Sequence, residues 1–169
     1  MVKLKVIPEN TQLAKCCLSS SLGTWWVVWS DEGIVRTTTT NDERFRSIQE
    51  SNPPDWLKCA WRDFWNGHKV DVVFCAYKKP QPFTMKVYET VYSIPFGSTL
   101  TYKEVAYLAG NVRASRAVGT IMRSNPWALF VPCHRVVGSD GSMRGYGGPE
   151  GIELKKALLA FERTLRLDN

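Results

Sequence analysis

The chain has 169 residues, 44% hydrophobic and 22% charged, enough apolar material for a sizeable core in one domain or two small ones and too much for a disordered protein. No apolar run approaches the ~18 residues of a bilayer span, and the start, Met1-Val2-Lys3-Leu4-Lys5-Val6, lacks the apolar block of a signal peptide, so a cytoplasmic protein is expected, or a nuclear one in a eukaryote, with no membrane partner. The net charge of +6 suits a polyanion, while five cysteines, an odd and dilute set, argue against a disulfide scaffold and leave one thiol for chemistry.

In chain order, Val2–Val6 alternates apolar residues and lysine like an edge strand. Thr24–Ser30 and Gly33–Thr39 are β-branched and aromatic runs joined by an Asp31-Glu32-Gly33 hairpin turn. Asn41-Asp42-Glu43-Arg44 reads as a capped helix start, and Trp56, Cys59, Ala60, Asp63 and Phe64 have helical spacing behind Pro53-Pro54. Val70–Phe74 reads as another strand. Six of the seven tryptophans fall in this half, where aromatics at such spacing fill a core. Cys16, Cys17, Cys59 and Cys75 form no C-x-x-C pair, so inert thiols are the better reading than a metal site, and a disulfide among them stays open.

The polar stretch Lys78-Lys79-Pro80-Gln81-Pro82 divides the chain into residues 1–79, an architectural α/β domain with a small antiparallel sheet and a helix, and residues 80–169, mostly helical. The first carries 11 basic and 9 acidic residues, the second 11 and 7. Arg113, Arg116, Arg123, Arg135 and Arg144 share a 32-residue window with one acid, Asp140, and that window is the place for a phosphate partner.

Phe83–Ile94 suits a helix closed by Pro95-Phe96-Gly97, and Thr101-Tyr102-Lys103-Glu104 is a capping box that starts another. Gly110 permits a turn into a further helix over Ser115–Arg123, which makes a helix-turn-helix. Ala114, Ser115, Ala117, Gly119 and Thr120 give that helix a smooth face punctuated by arginines. Further on, Pro132-Cys133-His134 places a thiol beside an imidazole, as an activated thiolate would require. In an extended segment the two side chains point to opposite faces, so His134 would act on the Cys133 sulfur through a water or a bend. Glu162 falls on the last helix beside an apolar face of Leu154, Leu158, Phe161 and Leu165, where it either serves the site or pairs with Arg166 at the surface.

Pro132-Cys133-His134-Arg135-Val136, preceded by Arg116-Ala117-Val118-Gly119 and Asn125-Pro126 and followed by Tyr146-Gly147-Gly148, resembles the O6-alkylguanine-DNA alkyltransferases, the methylated-DNA–protein-cysteine methyltransferases, from about Pro82 to Glu162. The resemblance implies a ribonuclease H-like layer in the N-terminal α/β domain and a winged helix-turn-helix in the C-terminal one. It implies a repair protein, without cofactor or metal, that flips O6-alkylguanine, and O4-alkylthymine, out of double-stranded DNA and moves the alkyl group irreversibly to Cys133 in a single turnover. His134 is then the base acting through water, with a lowered Cys133 thiol pKa expected, and Glu162 orients His134. Tyr102 donates to the purine N3 and the Gly147 amide to O6, while the carbonyls of Cys133 and Val136 accept from the guanine amino group. Asn125 holds the turn before the active segment, and Met122 and Tyr146 line the alkyl pocket. Arg116 fills the space of the flipped base, with Ala117, Arg123, Arg135 and Gly148 at the substrate and DNA surface. A monomer bound in the minor groove is implied. Two other readings were open: a non-catalytic alkyltransferase-like lesion binder, which typically lacks the acceptor cysteine, and a cysteine hydrolase, for which no oxyanion hole is evident.

Overall fold

The computed structural model describes all residues except 41, 42, 144–148, 168 and 169, and the side chains of all of those except 44, 149, 150, 166 and 167. The expected helix start at Asn41-Asp42, and Arg144, Tyr146, Gly147 and Gly148, thus lie outside the described residues in whole or in part. The chain divides into two compact units: Val2–Lys79 with Pro126–Ala128, and Pro80–Asn125 with Leu129–Asn169.

The first unit is built on a five-stranded sheet of order β1-β5-β4-β3-β2, with β1 Lys3–Val6, β2 Ala14–Ser20, β3 Gly23–Ser30, β4 Gly33–Thr38 and β5 Val73–Ala76. Strands β2, β3 and β4 form the antiparallel part, whereas β5 pairs parallel with both β1 and β4. The sheet is therefore mixed and not antiparallel as expected. The strand expected at Val70–Phe74 begins at Val73, where the ladder with Lys3 starts, and because β5 lies between two neighbours its Phe74 and Cys75 are buried. Strand β2 had no clear apolar alternation and was not foreseen; it pairs from Ala14 opposite Trp29 to Ser20 opposite Gly23.

The β3–β4 turn leaves only Asp31 and Glu32 between the paired Ser30 and Gly33. A side chain at Gly33 would bring its Cβ to 2.2 Å from the Val73 carbonyl oxygen, so glycine is required where β4 approaches β5. On one sheet face Ile7, Val28, Val35 and Cys75 form a buried cluster against Phe45, which ends a short 3-10 turn at Glu43–Phe45, and Ile48 beyond it. Helix α1, Asp55–Trp65, buries Leu57, Ala60 and Phe64, one stripe of an otherwise polar helix. Among the tryptophans of this half only Trp25 and Trp29 are buried; Trp56 is exposed and Trp26, Trp61 and Trp65 are half-buried. The seventh, Trp127, joins this unit from far along the chain: the Thr37 amide donates to the Pro126 carbonyl at 2.8 Å, and the Trp127 and Phe74 rings lie 5.3 Å apart.

The second unit is mostly helical: α2 Pro82–Tyr92, β6 Leu100–Thr101, α3 Tyr102–Leu108, α4 Ser115–Arg123, a 3-10 turn at Cys133–Arg135, β7 Val136–Val137 and α5 Pro149–Leu167. Thr101 caps α3 as the sequence implies: its hydroxyl accepts from the Glu104 amide while the Glu104 carboxylate accepts from the Thr101 amide at 2.7 Å. The helix ends at a left-handed Gly110 (φ 90°), with Gly110 N–H donating to Tyr107 and Asn111 N–H to Ala106, the two bonds of a glycine-terminated helix. Helix α4 then buries Val118 and Met122 and exposes Arg116, Ala117, Thr120 and Arg123. All five cysteines are free thiols, and among the described residues no helix is long and apolar enough to cross a membrane.

Candidate active site

The segment after α4 is shaped by two closures. Asn125 is buried, and its Nδ2 donates to the Val131 carbonyl at 2.9 Å, tying off a loop in which Leu129 takes the left-handed conformation (φ 76°). Holding a leucine there costs on the order of 1 kcal/mol, sustained by its complete burial. Cys133 N–H then bonds Val131 O at 2.7 Å and Arg135 N–H bonds Pro132 O at 2.9 Å, which winds Cys133–Arg135 into a 3-10 turn. The sequence reading had this stretch extended. The turn supplies the bend that extended backbone lacks, and it is followed at once by β7, whose Val136 pairs with Leu100 of β6.

Cys133, His134 and Arg135 are all buried. His134 Nε2 meets Glu162 Oε1 at 2.7 Å, and both side chains are 0% exposed. Glu162 is thus not a border residue. Helix α5 buries Lys155, Leu158, Leu159 and Glu162, while Leu154, Phe161 and Leu165 are only half-buried, so the inward stripe is rotated from the purely apolar one. A charged pair can occupy that stripe because each member has partners inside.

Arg135, expected at the DNA surface, is also placed elsewhere. Its Nε and Nη2 reach Glu162 at 2.9 to 3.1 Å and its Nη1 donates to the Ile94 carbonyl at 2.6 Å, with the guanidinium 5.2 Å from the centre of the Phe96 ring. A buried guanidinium needs such a fork of acceptors, and with them it offers nothing to a phosphate. Burial alone would raise the Glu162 carboxyl, but the hydrogen bonds from His134 and Arg135 and the charge of Arg135 overrule it and hold it at about 2. Glu162 is therefore a carboxylate, an acceptor only, so His134 donates from Nε2.

Lys155 was not singled out from the sequence. It is 1% exposed, its Nζ donates to the Val136 carbonyl at 2.5 Å, and it lies 5.7 Å from the centre of the Tyr102 ring. Burial lowers it to about 8, against the pull of Cys133. The available signal was its register: seven residues before Glu162, two turns along one helix, it shares the inward face with that carboxylate. The Cys133 thiol is pushed up, not down as expected: burial dominates, opposed by hydrogen bonding from Asn125 and the charge of Lys155. At rest it is a protonated thiol. Burial also lowers His134, more than Glu162 raises it, so the imidazole is neutral. A neutral base beside a protonated thiol, with a carboxylate behind the base and an ammonium nearby, can generate a thiolate on demand.

A cleft of about 730 Å³ opens on the same unit, lined on one side by Tyr102, Lys103, Arg116, Thr120 and Arg123 and on the other by the turn from Gly138 to Ser142. That turn is closed by Gly138 N–H to Ser142 O at 2.8 Å. Four of the five expected residues that fall here or beside it are placed as a surface: Arg116, Ala117 and Arg123 are exposed, and Tyr102 lines the cleft, whereas Met122 is buried beneath it.

Residues 82–164 match the family model described as 6-O-methylguanine DNA methyltransferase, DNA binding domain. A methylated-DNA–protein-cysteine methyltransferase from Methanothermobacter thermautotrophicus is 40% identical over 141 residues, 80% of this chain and 77% of the relative. The chain belongs to this family. A member from Kluyveromyces lactis is 36% identical over 125 residues, covering 71% of this chain and 65%, just under two thirds, of its own length. The crystal structure of the Mycobacterium tuberculosis O6-methylguanine methyltransferase superposes with a TM-score of 0.78 at 27% identity, covering 93% of this chain and 99% of that one, and the same protein has been solved in complex with DNA.

Proposed function

We propose that the protein repairs alkylated DNA by moving the alkyl group from O6 of guanine to Cys133. The observation that carries this reading is the 2.7 Å contact between His134 and Glu162, wholly buried, on the unit whose cleft displays Arg116 and Arg123 and in the turn that holds Cys133. The DNA partner is inferred from the family and from the complex solved for the mycobacterial relative.

In the reaction the thiol proton passes to Nδ1 of His134 through a water, and Glu162 stabilises the imidazolium that results. The thiolate attacks the alkyl carbon, an S–C bond forms, and the C–O6 bond breaks with its electron pair passing to the purine. Tyr102 donates to N3 of the leaving guanine and Gly147 to its O6, while the carbonyls of Cys133 and Val136 receive the amino group. The Val136 carbonyl accepts from Lys155 Nζ at 2.5 Å, which leaves its second lone pair for the guanine. A thioether does not readily hydrolyse, so each chain acts once. O4-alkylthymine, with the same exocyclic ether, is a second substrate.

The target atom lies within the duplex stack, so the nucleotide is rotated out. Helix α4 enters the minor groove, Arg116 takes the vacated space beside Ala117, and Arg123 contacts phosphate. Met122 and Tyr146 are assigned to the alkyl group, and Gly148 to substrate and DNA binding. Residues 136–142 act as the wing of a helix-turn-helix and the mixed sheet of the first unit as a ribonuclease H-like layer. The protein works as a monomer. Incubation with duplex DNA bearing radiolabelled O6-methylguanine tests the reading. Label on Cys133, at no more than one equivalent per chain, supports it; label kept on DNA with tight binding favours a non-catalytic lesion binder, and label released as methanol a hydrolase.

A further inference from the structure

The Glu162 carboxylate has more partners than a histidine orienter needs. Oε1 accepts from His134 Nε2 at 2.7 Å and from Arg135 Nε and Nη2 at 3.1 and 2.9 Å. Oε2 accepts from Arg135 Nε at 3.0 Å and from the Gly97 amide at 3.0 Å. The remaining arm of Arg135 is fixed on Ile94 O, so neither the guanidinium nor the carboxylate can swing without breaking several bonds.

This excess has a chemical meaning. A buried carboxylate facing an imidazole alone draws a second proton onto the ring, and an imidazolium at rest is no base. Arg135 places a fixed positive charge on the same carboxylate and leaves room for only one ring N–H. We propose that Arg135 is a positioning residue that fixes Glu162 and offsets its charge, so that His134 rests neutral with its proton on Nε2 and with Nδ1 ready to receive one. The inference rests on the reading of His134 as the base for Cys133.

The groups that bear on the ring come from two directions. The 3-10 turn contributes Arg135 and helix α5 contributes Glu162 and Lys155, while helix α2 contributes Tyr88 to the neighbourhood of Cys133, its phenol pushed up to about 12 by burial and by Cys133. Burial and the charges of Arg135 and Lys155 lower the ring and Glu162 raises it. Among these, Arg135 alone also bonds the carboxylate that bonds the ring, and so couples charge to tautomer.

The test is a pH titration of the His134 ring by ¹⁵N NMR in the wild-type protein, Arg135→Lys and Arg135→Met, without DNA. The wild-type ring is expected to be neutral and protonated at Nε2 from pH 6 to 8. In Arg135→Met it should take its second proton at a pH higher by about one unit or more, the scale of a lost neighbouring charge. Arg135→Lys, which keeps the charge, should titrate close to wild type. A wild-type ring doubly protonated at neutral pH, or carrying its proton on Nδ1, overturns the proposal even if Arg135→Met does not fold. So does a titration in Arg135→Met that coincides with wild type, or one in Arg135→Lys shifted as far as in Arg135→Met. Absence of alkyl transfer by the wild-type protein would instead remove the base reading and leave the ring titration standing by itself.

Discussion

His134 and Glu162 are 28 residues apart in sequence, yet His134 Nε2 and Glu162 Oε1 meet at 2.7 Å with no solvent on either side chain. One is fixed by the 3-10 turn that carries the thiol, the other by the inward face of the last helix. Their contact joins α5 to the turn that holds Cys133, and the same helix carries Lys155 to the Val136 carbonyl. Disturbing α5 is therefore expected to affect chemistry as well as stability.

Acid should expose this pair. The Glu162 carboxyl is depressed from its ordinary 4.5 to about 2, so its stabilisation is present in full above the ordinary carboxylate range and is lost as the pH falls from about 5 toward 2. Glu162→Gln leaves Arg135 without its counter-charge and should cost about 3 to 5 kcal/mol at pH 7. In urea unfolding, the gap between wild type and Glu162→Gln is expected to narrow steadily at pH 5, 4 and 3; a constant gap would mean that the carboxylate charge is not what stabilises.

Lys155→Met should slow alkyl transfer. Its ammonium lowers the Cys133 thiol and orders Val136, and a charged hydrogen bond worth about 1.5 to 3 kcal/mol corresponds to roughly a tenfold to hundredfold loss. Because Lys155 titrates near 8, the wild-type rate should decline above that pH as the ammonium is lost, and Lys155→Met should lack this alkaline fall. Stopped-flow reaction with O6-benzylguanine between pH 6 and 10 reads both; an alkaline limb retained in the variant would assign it to another group.

A substitution at Arg116 tests flipping apart from chemistry. Arg116 is exposed on α4 at the cleft, whereas Cys133, His134 and Glu162 are buried. Arg116→Ala should lower the rate on duplex O6-methylguanine DNA well below wild type while leaving reaction with free O6-benzylguanine base within about twofold, since the free base needs no flipping. Equal losses on the two substrates would show that Arg116 does not take the place of the flipped base.

The capping box sets where Tyr102 begins its helix. Thr101→Ala removes the hydroxyl that accepts from Glu104 N–H at 3.1 Å and should destabilise by about 0.5 to 2 kcal/mol, with Thr101→Ser close to wild type. Thermal unfolding of the two variants distinguishes a cap from a simple loss of volume, for which alanine and serine would be equally costly.

Local signals were legible in the sequence where one residue type dictates one conformation. The Thr101–Glu104 box, the Gly110 turn and the β3–β4 hairpin are each set by neighbours in the chain, and each occurs at the residues expected. The parallel insertion of β5 depends on β1, seventy residues earlier, and on β4, forty residues earlier, which no local pattern encodes, whereas β2 pairs with the adjacent β3 and was missed because Ala14–Ser20 lacks apolar alternation. The site followed the same division. Cys133 and His134 stand in one motif and Glu162 is named only by the family resemblance, whereas the burial of Lys155 and Arg135 was hidden because charged residues read as solvent-facing until a buried partner is known. Arg135 in particular looked like part of a basic surface and is instead the counter-ion of Glu162.

On the proposed function, Cys133 accepts an alkyl group once and keeps it. Intact mass spectrometry of the protein before and after O6-benzylguanine, with peptide mapping, tests it most directly. One added benzyl group per chain, located on Cys133 and absent from Cys133→Ser, is the predicted result; an unchanged mass, or a benzyl group on any of the other four cysteines with Cys133 unmodified, would contradict it.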